Sequence, residues 1–492
     1  MLEGKHVLVL GLGESGLACV RWCARNGARV RVADTRATPP GRADLHRLER
    51  DFADFALSGI EFVGGEFDKT LLNGINLLVV SPGLSSRSLL AIHARAAGIP
   101  VVGEIELFAQ ALRTLAAPSA PAPILAITGT NGKTTTTALT GHLLRATGKT
   151  VGVAGNISPA ALDALMDFQD EGALPDVWVL ELSSFQLETT DSLHAVAATV
   201  LNVSDDHLDR HIDLNEYAEV KARIFGSGSG VGGGAQVLNR QDERVKAMAL
   251  PGRRLLTFGL DAPAAADDFG VRLNRGAPWL VQGERFLLPL SDLPIKGLHN
   301  AANAMAALAL CSALGFPAPA LLPALRNFRG LPHRVERVLE HDGVVWYDDS
   351  KGTNVGATVA ALQAGLPQGD GKVVVLLGGD GKGQDFSPLQ AAVAAHARAV
   401  VLYGRDAPLI ESCLRACGVT IEYAVDMNDA ARRARALARP GDVVLLSPAC
   451  ASFDMFRNYE HRAEVFIAAA HAATSDASSC APTNAVQKSN LR

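Results

Sequence analysis

Short apolar segments rich in β-branched residues alternate with Ala/Leu-rich segments along almost the whole chain. This alternation is typical of parallel α/β sheets, in which strands are buried on both faces and helices cover them. A Pro/Ala-rich segment at residues 116–123 and the sequence Phe-Arg-Gly-Leu-Pro at 328–332 interrupt the pattern and indicate domain boundaries. We therefore predict an α/β protein with three domains. The predicted domains are residues 1–118, 119–330 and 331–474, and a disordered tail is predicted at 475–492.

The composition and charge argue against several classes of protein. The chain has 492 residues, a formal net charge of −5 and no long basic run, so nucleic acid is not expected as a partner. Apolar runs such as residues 373–377 are too short to span a membrane. The seven cysteines form no C-x-x-C pair, which is typical of free thiols in a reducing compartment. We expect a cytoplasmic protein with small-molecule partners and no membrane insertion.

The most specific chemical motif is Thr-Gly-Thr-Asn-Gly-Lys-Thr-Thr at residues 128–135, between a predicted strand at 124–128 and a predicted helix. Phosphate binding needs inward-facing N–H groups, a cation and a helix N-terminus aimed at the anion. The two glycines permit the tight turn, Lys133 can reach the β- and γ-phosphates of ATP, and the Thr134 hydroxyl can bind Mg²⁺. The spacing is shorter than in the standard P-loop, because Ile127 stands five residues before the second glycine. The motif predicts an ATP site.

A second glycine-rich motif, Gly-Leu-Gly-Glu-Ser-Gly at residues 11–16, follows a predicted strand at 5–10, and Asp34 ends the next predicted strand. This pattern matches the dinucleotide-binding fingerprint and, taken alone, favours a nicotinamide cofactor. The ATP motif and the lack of a recognisable hydride-transfer site argue against that interpretation. An NAD-dependent oxidoreductase and a non-catalytic nucleotide-binding regulator remain as alternatives.

Several polar residues are open to two interpretations. Glu181 follows a predicted strand and is suited to Mg²⁺, although an acid in a surface turn is equally common. His207 lies among aspartates and Lys221 on a predicted helix, where each is more simply a solvated side chain. Asn300 and Asn303 share one helix face and could cap the helix or contact an adenine.

The compact ATP motif, together with five further segments, resembles the Mur ligase family, which also contains the folylpolyglutamate synthetases. The further segments are residues 181–187, 202–210, 331–334, 348–354 and 447–454. The resemblance covers nearly the whole chain except the Gly/Ser tract at 226–234, interpreted as a flexible surface loop, and the tail. It implies an ATP-dependent ligase that forms an amide bond through an acyl phosphate. The sequence Leu-Ser-Ser-Phe-Gln at 182–186 favours the branch that adds D-glutamate to UDP-N-acetylmuramoyl-L-alanine in peptidoglycan precursor synthesis, over the folate enzymes or another Mur step.

The resemblance also implies the architecture and the site residues. It implies an N-terminal Rossmann-like domain that binds UDP, a central P-loop ATPase-like domain with a parallel or mixed sheet, and a C-terminal Rossmann-like α/β domain. Implied contacts to the UDP-linked substrate are Ser15, Asp34, Thr35, Arg36, Ser81, Gly83, Asn156 and His207. Implied contacts to ATP are Gly129, Thr130, Asn131, Gly132, Lys133, Thr134, Thr135, Asn300, Asn303, Arg334 and Asp349. Implied contacts to D-glutamate are Lys351, Thr353, Lys382, Ser452 and Tyr459, where the family carries Phe in place of Tyr459.

The catalytic set implied by the resemblance is Lys133, Glu181, His207 and Lys221. Two Mg²⁺ ions are implied, held by Thr134, Glu181, His207 and a carbamate formed on Lys221. Carbamylation needs a neutral amine, which burial near cations would favour by lowering the pKa of the lysine. We expect the enzyme to act as a monomer on its small-molecule substrates.

Overall fold

The structure, a computed structural model, describes residues 2–51, 60–207, 210–226, 233–367 and 369–475. The chain divides into two compact units. The first unit is Met1–Ser204, Arg210–Pro294 and Asn300–Phe328, and the second is Asp205–Asp209, Ile295–His299 and Arg329–Arg492. The predicted surface loop at 226–234 lies largely outside the described residues. So does the predicted tail, except Ser475, which is the last residue of a helix.

The first unit begins with a sheet of five parallel strands. Its strands are β1 (His6–Leu10), β2 (Arg29–Asp34), β3 (Ile60–Gly64), β4 (Leu77–Val80) and β5 (Val101–Val102), and its helices are α1 (Glu14–Arg25), α2 (Arg42–Asp51), α3 (Leu89–Ala96) and α4 (Glu104–Ala116). The strand order is β3-β2-β1-β4-β5, so the order reverses between β1 and β4. Strand β1 buries Val7 and Val9 in one core and Leu8 and Leu10 in another. Ligands of such sheets bind where the order reverses, at the carboxyl ends of the strands.

A nine-stranded mixed sheet forms the rest of the first unit. Its strands are β6 (Ile124–Thr128), β7 (Val151–Gly155), β8 (Val177–Glu181), β9 (Ala197–Val200), β10 (Ala235–Asn239), β11 (Leu255–Phe258), β12 (Phe269–Asn274), β13 (Ala277–Gln282) and β14 (Arg285–Pro289). Its helices are α5 (Lys133–Arg145), α6 (Ala161–Asp170), α7 (Ser184–Leu187), α8 (Leu214–Ala222), α9 (Glu243–Lys246), α10 (Leu298–Ala313) and α11 (Ala318–Arg326). The order is β14-β13-β12-β11-β10-β9-β6-β8-β7, parallel except for the antiparallel pairs β12–β13 and β13–β14. Strand β6, which leads into the ATP motif, lies between β8 and β9.

The second unit contains a six-stranded sheet. Its strands are β15 (Glu336–His341), β16 (Val344–Asp348), β17 (Val373–Gly378), β18 (Ala397–Tyr403), β19 (Thr420–Tyr423) and β20 (Val443–Leu446), and its helices are α12 (Val355–Leu362), α13 (Leu389–His396), α14 (Ala407–Leu414), α15 (Met427–Leu437) and α16 (Tyr459–Ser475). The order is β15-β16-β20-β17-β18-β19, and only β15 is antiparallel to its neighbour. Side chains of β17 alternate between two cores, with Val375 in one and Val374 in the other.

The predicted α/β fold class, with its parallel and mixed sheets, is confirmed. The three sheets fall within the predicted ranges 1–118, 119–330 and 331–474, although the exact boundaries stay predictions. Within the part of the chain that the structure describes, no helix has the length and hydropathy of a membrane span.

Helix α4 connects the two sheets of the first unit and carries two buried acids near its start. Glu104 accepts a hydrogen bond from the Leu162 N–H at 2.7 Å, where α6 begins, and is 2% exposed. Burial raises the pKa of the Glu104 carboxyl to about 7, and the bond from Leu162 offsets only part of this effect. Glu106 accepts bonds from Ser192 N–H, Ser192 O–H and Asp191 N–H. Burial alone would raise the pKa of Glu106, but these bonds lower it below its usual value.

Substitution of Glu104 by Gln should remove a pH-dependent loss of stability. Because folding raises its pKa from 4.5 to about 7, the stabilising contribution of Glu104 is complete below pH 4.5 and is lost as the pH rises through 7. We expect the stabilities of Glu104→Gln and the parent to differ by less than about 1 kcal/mol at pH 5. At pH 8 the variant should be more stable by up to about 3 kcal/mol.

The measurement is the thermal midpoint of both proteins from pH 5 to pH 8. Glu106→Gln is the matched control, because the lowered pKa of Glu106 gives the opposite sign and the variant should melt below the parent at pH 8. A Glu104→Gln midpoint that stays parallel to the parent across this range would contradict the prediction.

Candidate active site

A cavity of about 480 Å³ lies at the carboxyl edge of the first sheet, beside the point where the strand order reverses. Its lining contains seven of the predicted contacts to the UDP-linked substrate: Ser15, Asp34, Thr35, Arg36, Ser81, Gly83 and Asn156. The first six come from the N-terminal sheet, and Asn156 follows β7 of the second sheet. Phe67, Leu84 and Gln186 also line the cavity and were not predicted. The structure therefore brings together residues that are far apart in sequence.

The glycine-rich turn at one end of the cavity is packed too closely for side chains. A Cβ on Gly16 would lie 1.9 Å from the carbonyl oxygen of Gly11. The same carbonyl accepts a hydrogen bond from Ser81 Oγ at 2.8 Å, which ties the turn to the loop after β4. Helix α1 begins directly after Gly13, so its first N–H groups face the end of the turn. Unpaired N–H groups at the start of a helix favour the binding of an anion.

Asp34 holds Arg36 at the rim of the cavity. Its Oδ2 accepts bonds from the Leu12 N–H at 2.8 Å and from Arg36 Nη2 at 2.7 Å, and its Oδ1 accepts one from Arg36 Nε at 2.9 Å. Burial alone would raise the pKa of Asp34, but these bonds bring the pKa to about 2. Asp34 is thus an anionic anchor, and the Arg36 side chain, 54% exposed, presents a fixed cation to a ligand.

The far end of the cavity leads to a buried carboxylate. Asn156 Nδ2 donates to Glu181 Oε1 at 2.8 Å, and the Asn156 N–H donates to the Glu181 carbonyl. Glu181 is 1% exposed, and its Oε2 has no hydrogen-bond partner among the described residues. A buried carboxylate oxygen without a donor is costly and suits a cation such as Mg²⁺. Glu181 is therefore a buried side chain and not the surface acid that its sequence position also allowed.

The predicted phosphate loop follows β6, next to β8 and Glu181. Lys133 Nζ donates to the carbonyl oxygens of Gly129 at 2.9 Å and Thr130 at 2.8 Å, so its ammonium lies inside the turn. Gly132 has φ +84°, and a Cβ there would lie 2.3 Å from Asn303 Oδ1. Thr134 is buried in the first turn of α5. The loop therefore combines a cation with a helix N-terminus, as triphosphate binding requires.

Two asparagines support the loop from outside. Asn202 Oδ1 accepts a bond from the Asn131 N–H at 2.8 Å, and Asn202 Nδ2 donates to the Asn131 carbonyl at 3.0 Å. Asn303 accepts a bond from Thr136 Oγ1 at 3.3 Å and donates to Asn300 Oδ1 at 3.1 Å. The two predicted adenine residues thus lie beside the loop, and their contact with adenine stays a prediction. Asn202 is a supporting residue that the sequence analysis did not assign.

Lys221 is buried beside the same loop. It is 1% exposed, its Nζ donates to the Gly129 carbonyl at 2.9 Å, and the ammonium lies 4.2 Å from the centre of the Tyr217 ring. The interpretation of Lys221 as a solvated charge is therefore wrong. Its predicted carbamylation stays a prediction.

The second unit gathers the predicted amino-acid site at one edge of its sheet. Lys351 and Thr353 follow β16, Ser452 follows β20 and Lys382 follows β17. Because these strands are adjacent and parallel, the residues that follow them lie at the same edge. Tyr459 begins α16, and Lys351 Nζ lies 5.1 Å from the centre of its ring.

Asp349 and Arg334, the predicted ATP contacts of the second unit, interact electrostatically. Burial raises the pKa of Asp349 to about 7, although a hydrogen bond from Ser447 Oγ at 2.7 Å and the nearby Arg334 guanidinium lower it. Arg462, which the sequence analysis did not single out, is fully buried and donates to the carbonyls of Ser350 and Cys450. It thereby fixes the two loops that precede Lys351 and Ser452.

His207 belongs to the second unit, whereas Glu181 and Lys221 belong to the first. His207 has φ +56°, and its Nε2 lies 3.7 Å from Asp206 Oδ2. Asp206 also pairs with Lys382 Nζ at 3.1 Å. The predicted metal ligands are thus divided between the two units, and their assembly around ions stays a prediction.

Comparison with known proteins decides the family. Profiles of three domains match the chain: the Mur ligase MurD-like N-terminal domain at residues 5–103, the Mur ligase middle domain at 127–311 and the Mur ligase glutamate ligase domain at 333–450. A protein of Aromatoleum aromaticum named UDP-N-acetylmuramoylalanine–D-glutamate ligase is 61% identical over 95% of this chain and 97% of its own. A protein of Ralstonia nicotianae with the same name is 54% identical over 96% and 98%.

The chain belongs to the Mur ligase family. Solved structures agree on the fold of this Mur ligase. The UDP-N-acetylmuramate-alanine ligase of Thermotoga maritima is 18% identical and matches with a TM-score of 0.59 over 95% of this chain and 99% of its own. The FolC protein of E. coli is 19% identical, with a TM-score of 0.52 over 76% and 93%. The predicted family is confirmed, and the nicotinamide-dependent oxidoreductase and the non-catalytic regulator are no longer tenable.

Substitution of Gly132 by Ala should weaken ATP binding by this Mur ligase. The new methyl group would collide with Asn303 in a turn whose φ of +84° already disfavours a side chain, so the loop and its helix start must shift. We expect at least a tenfold rise in the Kd for ATP, a change worth about 1.4 kcal/mol. Isothermal titration calorimetry measures it.

Gly148→Ala is the matched control. Gly148 has φ +83°, but a Cβ there meets nothing within 4 Å, so the variant carries the backbone strain without the collision. Its affinity for ATP should equal that of the parent. Equal ATP affinity in both variants would show that contact with Asn303 does not shape the loop.

Proposed function

We propose that this Mur ligase joins D-glutamate to UDP-N-acetylmuramoyl-L-alanine in peptidoglycan precursor biosynthesis and uses ATP to activate the alanyl carboxylate. The two relatives named above, at 61% and 54% identity, support this reaction. We call the cavity at the carboxyl edge of the first sheet the nucleotide cavity. The structural observation that carries the proposal is the hydrogen bond from Asn156 to Glu181, because it links this cavity to the carboxylate beside the phosphate loop.

The cavity accounts for the binding of the UDP-linked substrate. The N–H groups at the start of α1 suit a diphosphate, and the Arg36 guanidinium offers donors to the carbonyl oxygens of a uracil ring. A substrate bound there extends its other end towards Asn156. Its terminal carboxylate then approaches Glu181 and the loop that begins after Thr128.

The first chemical step forms an acyl phosphate. The alanyl carboxylate attacks the γ-phosphorus of ATP, the bond to the β,γ-bridging oxygen breaks, and ADP leaves. Lys133, held by two loop carbonyls, stabilises the negative charge on the transferred group. We assign two Mg²⁺ ions to Thr134, Glu181, His207 and the carbamate of Lys221. When bound, Mg²⁺ neutralises phosphate charge.

The second step forms the amide bond. The D-glutamate amine attacks the acyl carbon, gives up a proton, and phosphate leaves from the tetrahedral intermediate. D-glutamate carries two carboxylates, which need cations and hydroxyl donors. We assign these roles to Lys351, Thr353, Lys382, Ser452 and Tyr459. Tyr459 retains an aromatic ring beside Lys351, as the Phe of the family would, and adds a hydroxyl. We further propose that the enzyme is a cytoplasmic monomer.

Phosphate release should depend on D-glutamate and on Lys133. With ATP and UDP-N-acetylmuramoyl-L-alanine present, we expect release when D-glutamate is added and none above background with L-alanine, L-lysine or a folate substrate. Lys133→Ala should lower the rate at least about a hundredfold, because the γ-phosphoryl charge loses its fixed cation.

Lys149→Ala serves as the control, since Lys149 is a half-exposed lysine paired with Asp176 at 3.5 Å. Its rate should equal that of the parent. Phosphate release that does not depend on D-glutamate would contradict the proposed substrate. Near-normal turnover by Lys133→Ala would contradict the proposed ATP site.

Lys221 should carry a carbamate when bicarbonate is present. Its amine is buried beside the phosphate loop, where a carbamate would supply an anion for Mg²⁺. With ¹³C-bicarbonate and Mg²⁺, we expect a carbamate carbon signal in the ¹³C NMR spectrum of the parent and no signal in Lys221→Ala. Lys246→Ala, which removes an exposed lysine, should keep the signal. A parent spectrum without it would refute the modification.

A further inference from the structure

The loop after β4 forms one wall of the nucleotide cavity. Ser81, Gly83 and Leu84 line the cavity from this loop, and Gln186 of α7 lines it from the second sheet. Helix α7 is itself fixed by a capping box, in which Ser183 Oγ accepts from the Gln186 N–H and Gln186 Oε1 accepts from the Ser183 N–H. The distance between these two walls sets the space that a ligand meets.

Arg210 connects the two walls from outside the cavity. Its Nη2 donates to the Leu84 carbonyl at 2.8 Å and to Glu188 Oε2 at 2.9 Å. The guanidinium lies 4.9 Å from the centre of the Phe185 ring, and its side chain is only 15% exposed. One planar cation thus contacts the loop after β4, an aromatic residue of α7 and an acid just beyond α7.

Glu188 completes the connection. Its Oε2 also accepts a hydrogen bond from Ser86 Oγ at 2.7 Å, and its side chain is 9% exposed. We call the three side chains Arg210, Glu188 and Ser86 the wall clamp. Arg210 and Glu188 are not among the described residues that line the cavity, so we treat them as positioning residues.

We propose that the wall clamp positions the loop that carries Ser81, Gly83 and Leu84, and that Arg210 thereby determines the affinity for the UDP-linked substrate. This inference rests on the proposed function. A largely buried ion pair gains little net stability because both charges must be desolvated, so we look for its benefit in the geometry that it holds. Arg210 suits this task because its rigid guanidinium can serve two acceptors and stack on a ring at once, which a lysine cannot do.

The test compares Arg210→Gln, Arg210→Lys and the double variant Arg210→Gln/Glu188→Gln with the parent. Calorimetric titration gives the Kd for UDP-N-acetylmuramoyl-L-alanine, and steady-state kinetics give the KM for each substrate. We expect Arg210→Gln to raise the Kd and KM for the UDP-linked substrate roughly tenfold, with the KM values for ATP and D-glutamate within about twofold. Arg210→Lys should fall between the parent and Arg210→Gln.

The double variant separates the positioning effect from the cost of leaving Glu188 as an unpaired, largely buried charge. It should fold as well as the parent and still show the raised Kd, because the link to the Leu84 carbonyl is absent. Arg21→Gln is the matched control: Arg21 of α1 pairs with Asp163 of α6 at 2.6 Å, so this ion pair links the same two sheets through residues outside the loop after β4. Its Kd for the UDP-linked substrate should be unchanged.

An unchanged Kd for the UDP-linked substrate in Arg210→Gln and in the double variant overturns the proposed role of the wall clamp and leaves the proposed function intact. So does an equal rise in the KM of all three substrates, because that result indicates general loss of structure. A parent protein that does not bind the UDP-linked substrate at all overturns the proposed function and the clamp together.

Discussion

The buried carboxylate of Glu181 connects the two candidate binding sites of the first unit, the cavity beside the first sheet and the loop after β6. It ends β8, directly beside β6 and the start of the predicted phosphate loop, and one of its oxygens holds Asn156 at the far end of the cavity at the carboxyl edge of the first sheet. A buried acceptor without a donor costs about 1–3 kcal/mol. The other oxygen of Glu181 is in that position among the described residues. Such a cost is tolerated where a ligand or ion completes the site, so Glu181 marks the point at which substrate, phosphate and cation are expected to meet.

The local motifs could be predicted because each depends only on residues that are close together in the sequence. A strand, a glycine turn and a helix start are encoded by neighbouring residues, and both the loop ending at Thr135 and the turn ending at Gly16 occur where the sequence placed them. The residues that support these motifs were missed for the converse reason. Asn202 is 71 residues from Asn131, and Arg462 is 112 residues from Ser350. No pattern within a short stretch of sequence indicates a contact between residues that are so far apart along the chain.

The antiparallel strands β12 to β14 were also missed. The turn between β12 and β13 uses Arg275 and Gly276, both at positive φ, in place of the Asn-Gly pair that identifies such hairpins. The alternative interpretations of Glu181 and Lys221 failed for a related reason. Charge and polarity favour the surface for an isolated residue, but the sheet edge and the loop bury both side chains. Burial is a property of the fold, and the sequence indicated it only through family resemblance.

The glycine-rich turn shows why a motif has to be interpreted through its site. Taken alone, the sequence from Gly11 to Gly16 followed by Asp34 favours a nicotinamide cofactor. In the structure, both oxygens of Asp34 accept hydrogen bonds from the protein, and Arg36 is thereby held at the cavity rim. The far end of the cavity leads to Asn156 and to the carboxylate of Glu181 behind it. The same kind of turn that binds a diphosphate in dehydrogenases is thus assigned, in the proposed function, to orienting a substrate towards a phosphoryl donor.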